Sequence, residues 1–145
     1  MGNICRSPMG EALLRHHLDE QDLEGIEIDS AGIGAWHAGD PPDPRMRETA
    51  SRYGVVVDGE ARKITGSDLT DFDLILCSDA DILGQVRALG ASSQKARLML
   101  DYHPERAGED VPDPYYGGDQ GFEHVYAILD ETCINLVEII KGNLS

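Results

Sequence analysis

The feature that most constrains the fold is the segment 74–77 (LILC), a short uninterrupted apolar run that leads directly into Ser78 and Asp79. Such a run is expected of a strand buried on both faces, as in a parallel sheet covered by helices. Asp79 is a typical helix N-cap, so a helix is predicted to follow the strand at once. The segment therefore predicts an α/β architecture.

Helical patterns alternate with strand-like segments along the rest of the chain. Helices are predicted to begin at Ser7-Pro8, with Ser7 as N-cap, and to span Asp43 to Gly54, Asp79 to Gly90 and residues 122–140. The side chains predicted to face inward are Ala12, Leu13, His17, Leu18, Met46, Ala50, Tyr53, Ile82, Leu83, Val86, Leu89, Phe122, Val125, Leu129, Cys133, Leu136 and Ile140. Short strands are predicted at 26–29 and 97–100, and a polar loop at 101–118. Together these elements predict one domain over residues 1–145, with three α/β/α layers around a small parallel sheet.

Charge and cysteine usage exclude several classes of function. The 12 basic and 27 acidic side chains give a net charge of −15, which repels nucleic acid and anionic membranes. No apolar run is long enough for a membrane span or a signal peptide, so a cytoplasmic protein is expected. The cysteines Cys5, Cys77 and Cys133 and the five histidines show no metal-ligand spacing. Cys77 and Cys133 lie in apolar patterns and are predicted to be inert core thiols.

Residues 2–8 (GNICRSP) form a tight loop that leads into the first predicted helix. The first N–H groups of a helix lack partners within the helix and attract an oxyanion. Gly2 permits close approach, and the guanidinium of Arg6 can bind two phosphate oxygens at once. The same residues fit an irregular N-terminus with a solvated Arg6 equally well.

The loop resembles part of a known phosphate loop. GNICRSP is similar to the second part of the loop of low-molecular-weight protein tyrosine phosphatases, which reads cysteine, five residues, arginine, then serine or threonine. Residues 113–117 (DPYYG) resemble the motif that carries that family's general acid, and residues 29–32 (DSAG) resemble the segment after its second strand. The chain is identified as a member of this family along its whole length. The resemblance implies a phosphotyrosine phosphatase I-like, Rossmann-like fold.

The resemblance also implies a role for individual residues. A cysteine thiolate attacks phosphorus, Arg6 holds the phosphate oxygens, and Asp113 protonates the leaving phenol and later activates water. No cofactor or metal is implied. The residues implied to bind phosphate are Gly2, Asn3, Ile4, Cys5, Arg6 and Ser7, those lining the substrate cleft are Trp36, Tyr115 and Tyr116, and those supporting the loop are Asn3 and Ser30.

Some of these residues also fit ordinary structural roles. Asp113-Pro114 is a common turn opening, and Trp36, Tyr115 and Tyr116 fit partly exposed packing positions.

The nucleophilic cysteine of the family has no counterpart within the 145 residues, because aligning Arg6 places it one position before Met1. The family's first strand is also expected to precede Met1. We therefore expect an N-terminally truncated domain that is nearly inactive, since loss of a nucleophile costs on the order of 10⁶ in rate. Exposed strand edges are expected to rearrange or to pair in a homo-oligomer. Cys5 lies directly beside Arg6 and is not expected to replace the nucleophile.

Two explanations of the late start remain open. The start is misassigned or truncated, or a genuine short form acts as a non-catalytic module that binds phosphate or phosphotyrosine. We favour the first, because a binding module has no need of the acid Asp113.

The substrate class follows partly from Ile4. Related bacterial enzymes that act on phosphoarginine carry threonine there, so Ile4 favours phosphotyrosine. Arsenate reduction is set aside, because related reductases need two further cysteines close together. The expected partners are phosphotyrosine proteins, a bacterial tyrosine kinase among the candidates, and inorganic phosphate or another oxyanion at the loop.

Overall fold

The computed structural model describes residues 6–32, 39, 43–57, 62–112 and 118–144, and for residues 6, 7, 118, 119, 143 and 144 it describes the backbone alone. The described elements are, in chain order, α1 (Arg6–Glu20), α2 (Pro44–Ser51), α3 (Gly66–Asp71), β1 (Ile75–Cys77), α4 (Ala80–Ala88), β2 (Ala96–Leu98), a 3-10 helix (Met99–Tyr102) and α5 (Gly118–Leu144). None of the described helices is both long enough and apolar enough to cross a membrane.

β1 and β2 form a parallel pair in which Ile75 lies opposite Ala96 and Cys77 opposite Leu98. Successive residues of β1 point to opposite faces of the sheet. Ile75 and Cys77 pack in a smaller cluster with side chains of α3 and α4, whereas Leu76 packs against a larger cluster that includes α1 and α5. Helices therefore cover both faces, which confirms the predicted three-layer α/β/α architecture.

The larger core cluster joins α1, α2, the 3-10 helix and α5. Phe122, on α5, is its largest side chain that is almost completely buried. The buried members of the cluster are Met9, Ala12, Leu13, Met46, Ala50, Val55, Val57, Met99, Leu100, Val111, Phe122, Val125, Tyr126, Ile128, Leu129 and Cys133. Most of the predicted inward positions of α1, α2 and α5 are thus confirmed.

α2 and α4 start and stop beside the capping residues that the sequence predicts. The carboxylates of Asp43 and Asp79 each accept a hydrogen bond from a backbone N–H in the first turn of their helix, at 2.8 Å in both cases. Gly54 and Gly90 follow the helices with φ values of 77° and 122°, which side chains with a Cβ rarely adopt. Local capping chemistry accounts for both boundaries.

Two predicted boundaries are wrong. α1 begins at Arg6, so Ser7 is a first-turn residue and not the N-cap. Pro8 fits inside this first turn because the N–H groups there have no partner within the helix. The strand predicted at 97–100 lies at Ala96–Leu98, and the chain turns into the 3-10 helix at Met99.

The prediction of a strand at residues 26–29 is also wrong. Ile26 and Ile28 are half-buried and alternate with exposed residues, as predicted, but no described residue pairs with this segment as a strand. Extended backbone becomes a strand only when a neighbour supplies hydrogen bonds. The nearest pairing is an isolated bridge, in which the Gly32 N–H donates to the Arg62 carbonyl at 2.8 Å and the Ile64 N–H donates to the Gly32 carbonyl at 2.8 Å.

Two residues predicted to face inward are exposed, and α3 was not predicted from the sequence. Leu89 is 57% exposed and Tyr53 is 53% exposed. The Tyr53 ring stacks on Tyr126 at 4.3 Å between centroids, and its hydroxyl donates to Glu123 at 2.6 Å, which explains its position at the surface. α3 is short and contains no buried residue, so hydrophobic periodicity could not reveal it.

The burial of Leu13 is testable by truncation. Leu13→Ala is expected to lower the free energy of unfolding by about 2–5 kcal/mol, because Leu13 is fully buried in the larger cluster. Leu89→Ala removes the same atoms from an exposed side chain. This substitution is expected to change the free energy of unfolding by about 0.5 kcal/mol or less. Urea unfolding followed by circular dichroism measures both, and equal losses would contradict the two burial assignments.

Candidate active site

The N-terminal end of α1 is the centre of the predicted site. Arg6 and Ser7 lie in the first turn of this 15-residue helix, and that turn contains no acidic residue. Its unpaired N–H groups carry a partial positive charge, and no carboxylate of the same turn offsets it. The site residues that lie outside the described residues are Gly2, Asn3, Ile4, Cys5, Trp36, Asp113, Tyr115 and Tyr116.

Ser30 connects the segment before Gly32 to α1. Its hydroxyl donates to the Glu11 carboxylate at 2.6 Å, and its N–H donates to the Asp29 carboxylate at 2.8 Å. Glu11 lies in the second turn of α1 and is also paired with Arg15 at 3.1 Å. The described contact of Ser30 is therefore with α1, the helix that carries Arg6. The predicted contact of Ser30 with the phosphate loop stays a prediction.

Arg62 extends this connection to α3. Its guanidinium binds the Asp29 carboxylate at 3.0 Å and the Asp68 carboxylate at 2.9 Å. The hydrogen bond from Arg62 holds the pKa of Asp68 below its ordinary value of 3.8. Residues 29–32 are thus held between α1 and α3 by charged groups. Sequence reasoning missed Arg62 and Asp68, although Thr65 and Asp68 form a capping box that the spacing of the two residues signals.

The segment before Asp113 is attached at the carboxyl end of β1. The Val111 N–H donates to the Ser78 carbonyl at 2.7 Å, and the Asp110 carboxylate accepts from the Ala80 N–H at 2.9 Å. In open α/β sheets, ligands bind outside the carboxyl ends of the strands. Val111 also belongs to the same core cluster as Met9 of α1. The chain therefore approaches Asp113 from the sheet edge at which such sites are found.

Further upstream, the segment is held on α5. The Asn135 side-chain amide donates to the Tyr102 carbonyl at 2.6 Å. The buried His103 ring accepts at Nδ1 from the Glu105 N–H at 3.0 Å, so its neutral form donates from Nε2 to the Glu131 carboxylate at 2.9 Å. These polar contacts fix where the segment leaves the 3-10 helix.

Cys77 and Cys133 are buried free thiols, as predicted. Burial raises the pKa of Cys77 to about 11 and also raises that of Cys133. The Cys133 sulfur lies 3.7 Å from the Gly10 carbonyl oxygen, inside the contact between α1 and α5. Thiols in such surroundings are poor nucleophiles. Within the described residues, no group of three or more His, Cys, Asp or Glu side chains could hold a metal ion.

The family described as low molecular weight phosphotyrosine protein phosphatase matches residues 1–145. The fold and this match define a hydrolase of the protein phosphatase class. The chain belongs to the low molecular weight protein-tyrosine-phosphatase family. It is 41% identical to YfkJ of Bacillus subtilis, a low molecular weight protein-tyrosine-phosphatase, over 145 residues that cover 97% of this chain and 92% of that protein.

Solved structures of the family share the fold. The crystal structure of YfkJ matches with a TM-score of 0.91 at 40% identity, covering 100% of this chain and 92% of that chain. A protein tyrosine phosphatase of Entamoeba histolytica with Hepes in its active site matches with a TM-score of 0.92 at 35% identity, covering 100% and 95%. A Drosophila arginine phosphatase matches with a TM-score of 0.89 at 30% identity, covering 97% and 94%. The predicted fold type is confirmed.

The ion pair between Arg62 and Asp68 predicts a specific pH dependence. A carboxylate whose pKa is lowered in the folded state stabilises it above the unfolded-state pKa, and this stabilisation is lost as pH falls through the folded-state pKa. The free energy of unfolding of the parent chain, relative to Asp68→Asn, is therefore expected to decrease between about pH 5 and pH 2. In an Arg62→Met background this pH-dependent difference should shrink strongly. A difference independent of pH would contradict the pairing.

The two core thiols are expected to resist alkylation in the native state. Because burial raises the pKa of Cys77 and Cys133, little thiolate is present at about pH 8. Peptide mass spectrometry after iodoacetamide treatment should find both unmodified, and both modified once denaturant is added. Rapid native labelling of either would contradict its burial.

Proposed function

We propose that residues 1–145 are a single phosphotyrosine phosphatase domain, whose full-length form acts on phosphotyrosine in proteins and on aryl phosphates through a phosphocysteine intermediate. The family match over residues 1–145 carries the proposal. The start of α1 at Arg6 and the attachment of Val111 near Asp113 support it. The family's arginine and acid residues are both present in the sequence, in the family's order.

In this proposal the first turn of α1 and the residues before it bind the phosphate. The N–H groups of residues 2–6 and the Arg6 guanidinium hold the three non-bridging oxygens and stabilise their charge in the transition state. Ser7 stabilises the thiolate that leaves the phosphocysteine intermediate. Inorganic phosphate or another oxyanion occupies the same place between turnovers. The local positive field of the helix end makes this possible in a chain of net charge −15.

Asp113 is proposed to move the protons of both steps. It donates a proton to the phenolate oxygen as the bond to phosphorus breaks, and then takes a proton from the water that hydrolyses the phosphocysteine. The attacking cysteine aligns one position before Met1. We therefore propose that residues 1–145 alone bind an oxyanion without hydrolysing phosphotyrosine, and that the reaction needs that cysteine. Trp36, Tyr115 and Tyr116 line the cleft that receives the phenyl ring.

Phosphotyrosine is proposed over phosphoarginine because of Ile4. The similarity to a Drosophila arginine phosphatase makes phosphoarginine the competing substrate to measure. The discriminating value is the ratio of kcat/KM for a phosphotyrosine peptide to that for phosphoarginine. A ratio below one would overturn the substrate choice and leave the phosphatase proposal in place.

The test uses an extended chain, in which residues 1–145 follow an added apolar strand that ends in the nucleophilic cysteine of the family's pattern. This extended chain is expected to hydrolyse p-nitrophenyl phosphate, whereas residues 1–145 alone are not. Asp113→Asn should lower kcat by about 10²–10⁴, because general acid catalysis contributes that much. Asp19→Asn is the matched control at the other end of α1 and should change kcat by less than about twofold.

Two results would contradict the proposal. A folded extended chain without activity would overturn the phosphatase assignment. If residues 1–145 bind phosphotyrosine peptides in an Arg6-dependent way while the extended chain stays inactive, the non-catalytic binding module replaces it. Isothermal titration calorimetry with the parent chain and with Arg6→Ala measures that binding.

A further inference from the structure

We propose that Asp110 is a positioning residue for Asp113, because its carboxylate holds the segment that carries the acid against the N-terminal end of α4. This inference rests on the proposed function, in which Asp113 is the proton donor. Asp110 itself does not contact the substrate in this proposal. It acts by restraining the two residues, Val111 and Pro112, that lead to the acid.

The contact joins two parts of the chain that are 30 residues apart. The Asp110 Oδ1 atom accepts from the Ala80 N–H at 2.9 Å, and the next residue, Val111, donates its N–H to the Ser78 carbonyl at 2.7 Å. Two successive residues are therefore bound, one to the first residue of α4 and the other to Ser78 in the connection between β1 and α4. Attachment at two neighbouring points fixes both the position of the segment and the direction in which it continues.

Asp110 adds a second carboxylate contact at the N-terminus of α4. Asp79 is already the N-cap, since its carboxylate accepts from the Ile82 N–H at 2.8 Å. Asp110 binds a different donor, the N–H of Ala80 at the first position of the helix, where a negative charge is favoured by the helix dipole. The contact therefore joins the loop to the first turn of α4, and the N-cap Asp79 remains in place when Asp110 is replaced.

The chain between Asp110 and Asp113 is stiff enough to transmit this restraint. Val111 is 1% exposed and is held in the larger core cluster. Pro112 fixes its own φ near −65° and restricts Val111 to extended backbone. A segment with one buried residue and one proline has few ways to absorb a shift at Asp110. The attachment of Asp110 therefore restrains Val111 and Pro112, the residues that lead to Asp113.

The test compares substrates that need different amounts of help from the acid. Dinitrophenolate leaves without a proton, whereas phenolate needs one, so only phenyl phosphate depends strongly on a placed acid. In the extended chain, Asp110→Ala is expected to lower kcat/KM for phenyl phosphate by about 10-fold to 100-fold, the scale of a small misplacement. For 2,4-dinitrophenyl phosphate the loss should be less than about threefold. A general structural defect would lower both equally, and equal losses would overturn the inference.

Asp110→Asn and Glu109→Ala are the matched variants. Asparagine keeps an oxygen that can accept from the Ala80 N–H, so it should restore most of the activity on phenyl phosphate. Glu109 is the adjacent exposed carboxylate, paired with Arg106 inside the loop, and its removal should leave the ratio of the two substrates unchanged. A failure of asparagine to restore activity, or an equal effect of Glu109→Ala, would also overturn the inference.

A second measurement needs no activity. In residues 1–145, Asp110→Ala should speed amide hydrogen exchange at Ala80 and Val111 by about 10-fold relative to Leu129 in α5, and Asp110→Asn should not. Unchanged exchange would overturn the inference whatever the kinetics show. If the unsubstituted extended chain is inactive on both phosphates, the proposed function and the positioning role both fail. The exchange result then reports on the attachment alone.

Discussion

Burial of the apolar face of α5 is the interaction on which the rest of the structure depends. α5 supplies Phe122, Val125, Tyr126, Ile128, Leu129 and Cys133 to the larger core cluster, more than any other element, and these side chains meet α1, α2 and the 3-10 helix. The same helix carries Asn135 and Glu131, which hold the start of the segment that leads to Asp113. α5 therefore positions both the N-terminal end of α1 and the start of the segment that leads to Asp113.

Sequence reasoning succeeded where one local cause decides the structure. Aspartates and glycines at the ends of α2 and α4 acted through their own capping chemistry, and the apolar run of β1 could be satisfied only between two helical layers. Sequence reasoning failed where the structure of a segment depends on a partner far away in the chain. Residues 26–29 alternate as a strand does, but no described strand pairs with them. Tyr53 has helical spacing, but its stacking on Tyr126 and its bond to Glu123 keep it at the surface.

The candidate site divides in the same way. The helix N-terminus beside Arg6 could be predicted from the sequence, because Ser7-Pro8 signals a helix start, whereas the role of Arg6 in binding phosphate stays a prediction. Residues that hold the site in place could not be predicted, because their partners are far apart in the chain: Arg62 reaches Asp29, and Asp110 reaches Ala80. Neither pair has a sequence signal of its own, since each charge alone resembles a solvated surface residue. Positioning residues are therefore found only once the fold is known.

The place of α5 in the chain has a consequence for how the protein folds during synthesis. Met9, Ala12 and Leu13 leave the ribosome long before the side chains of α5 that cover them. Contacts with so large a separation in sequence slow folding and leave apolar surface exposed in the meantime. The apolar faces of α1 and α2 therefore cannot be covered by α5 until synthesis of the chain is nearly complete.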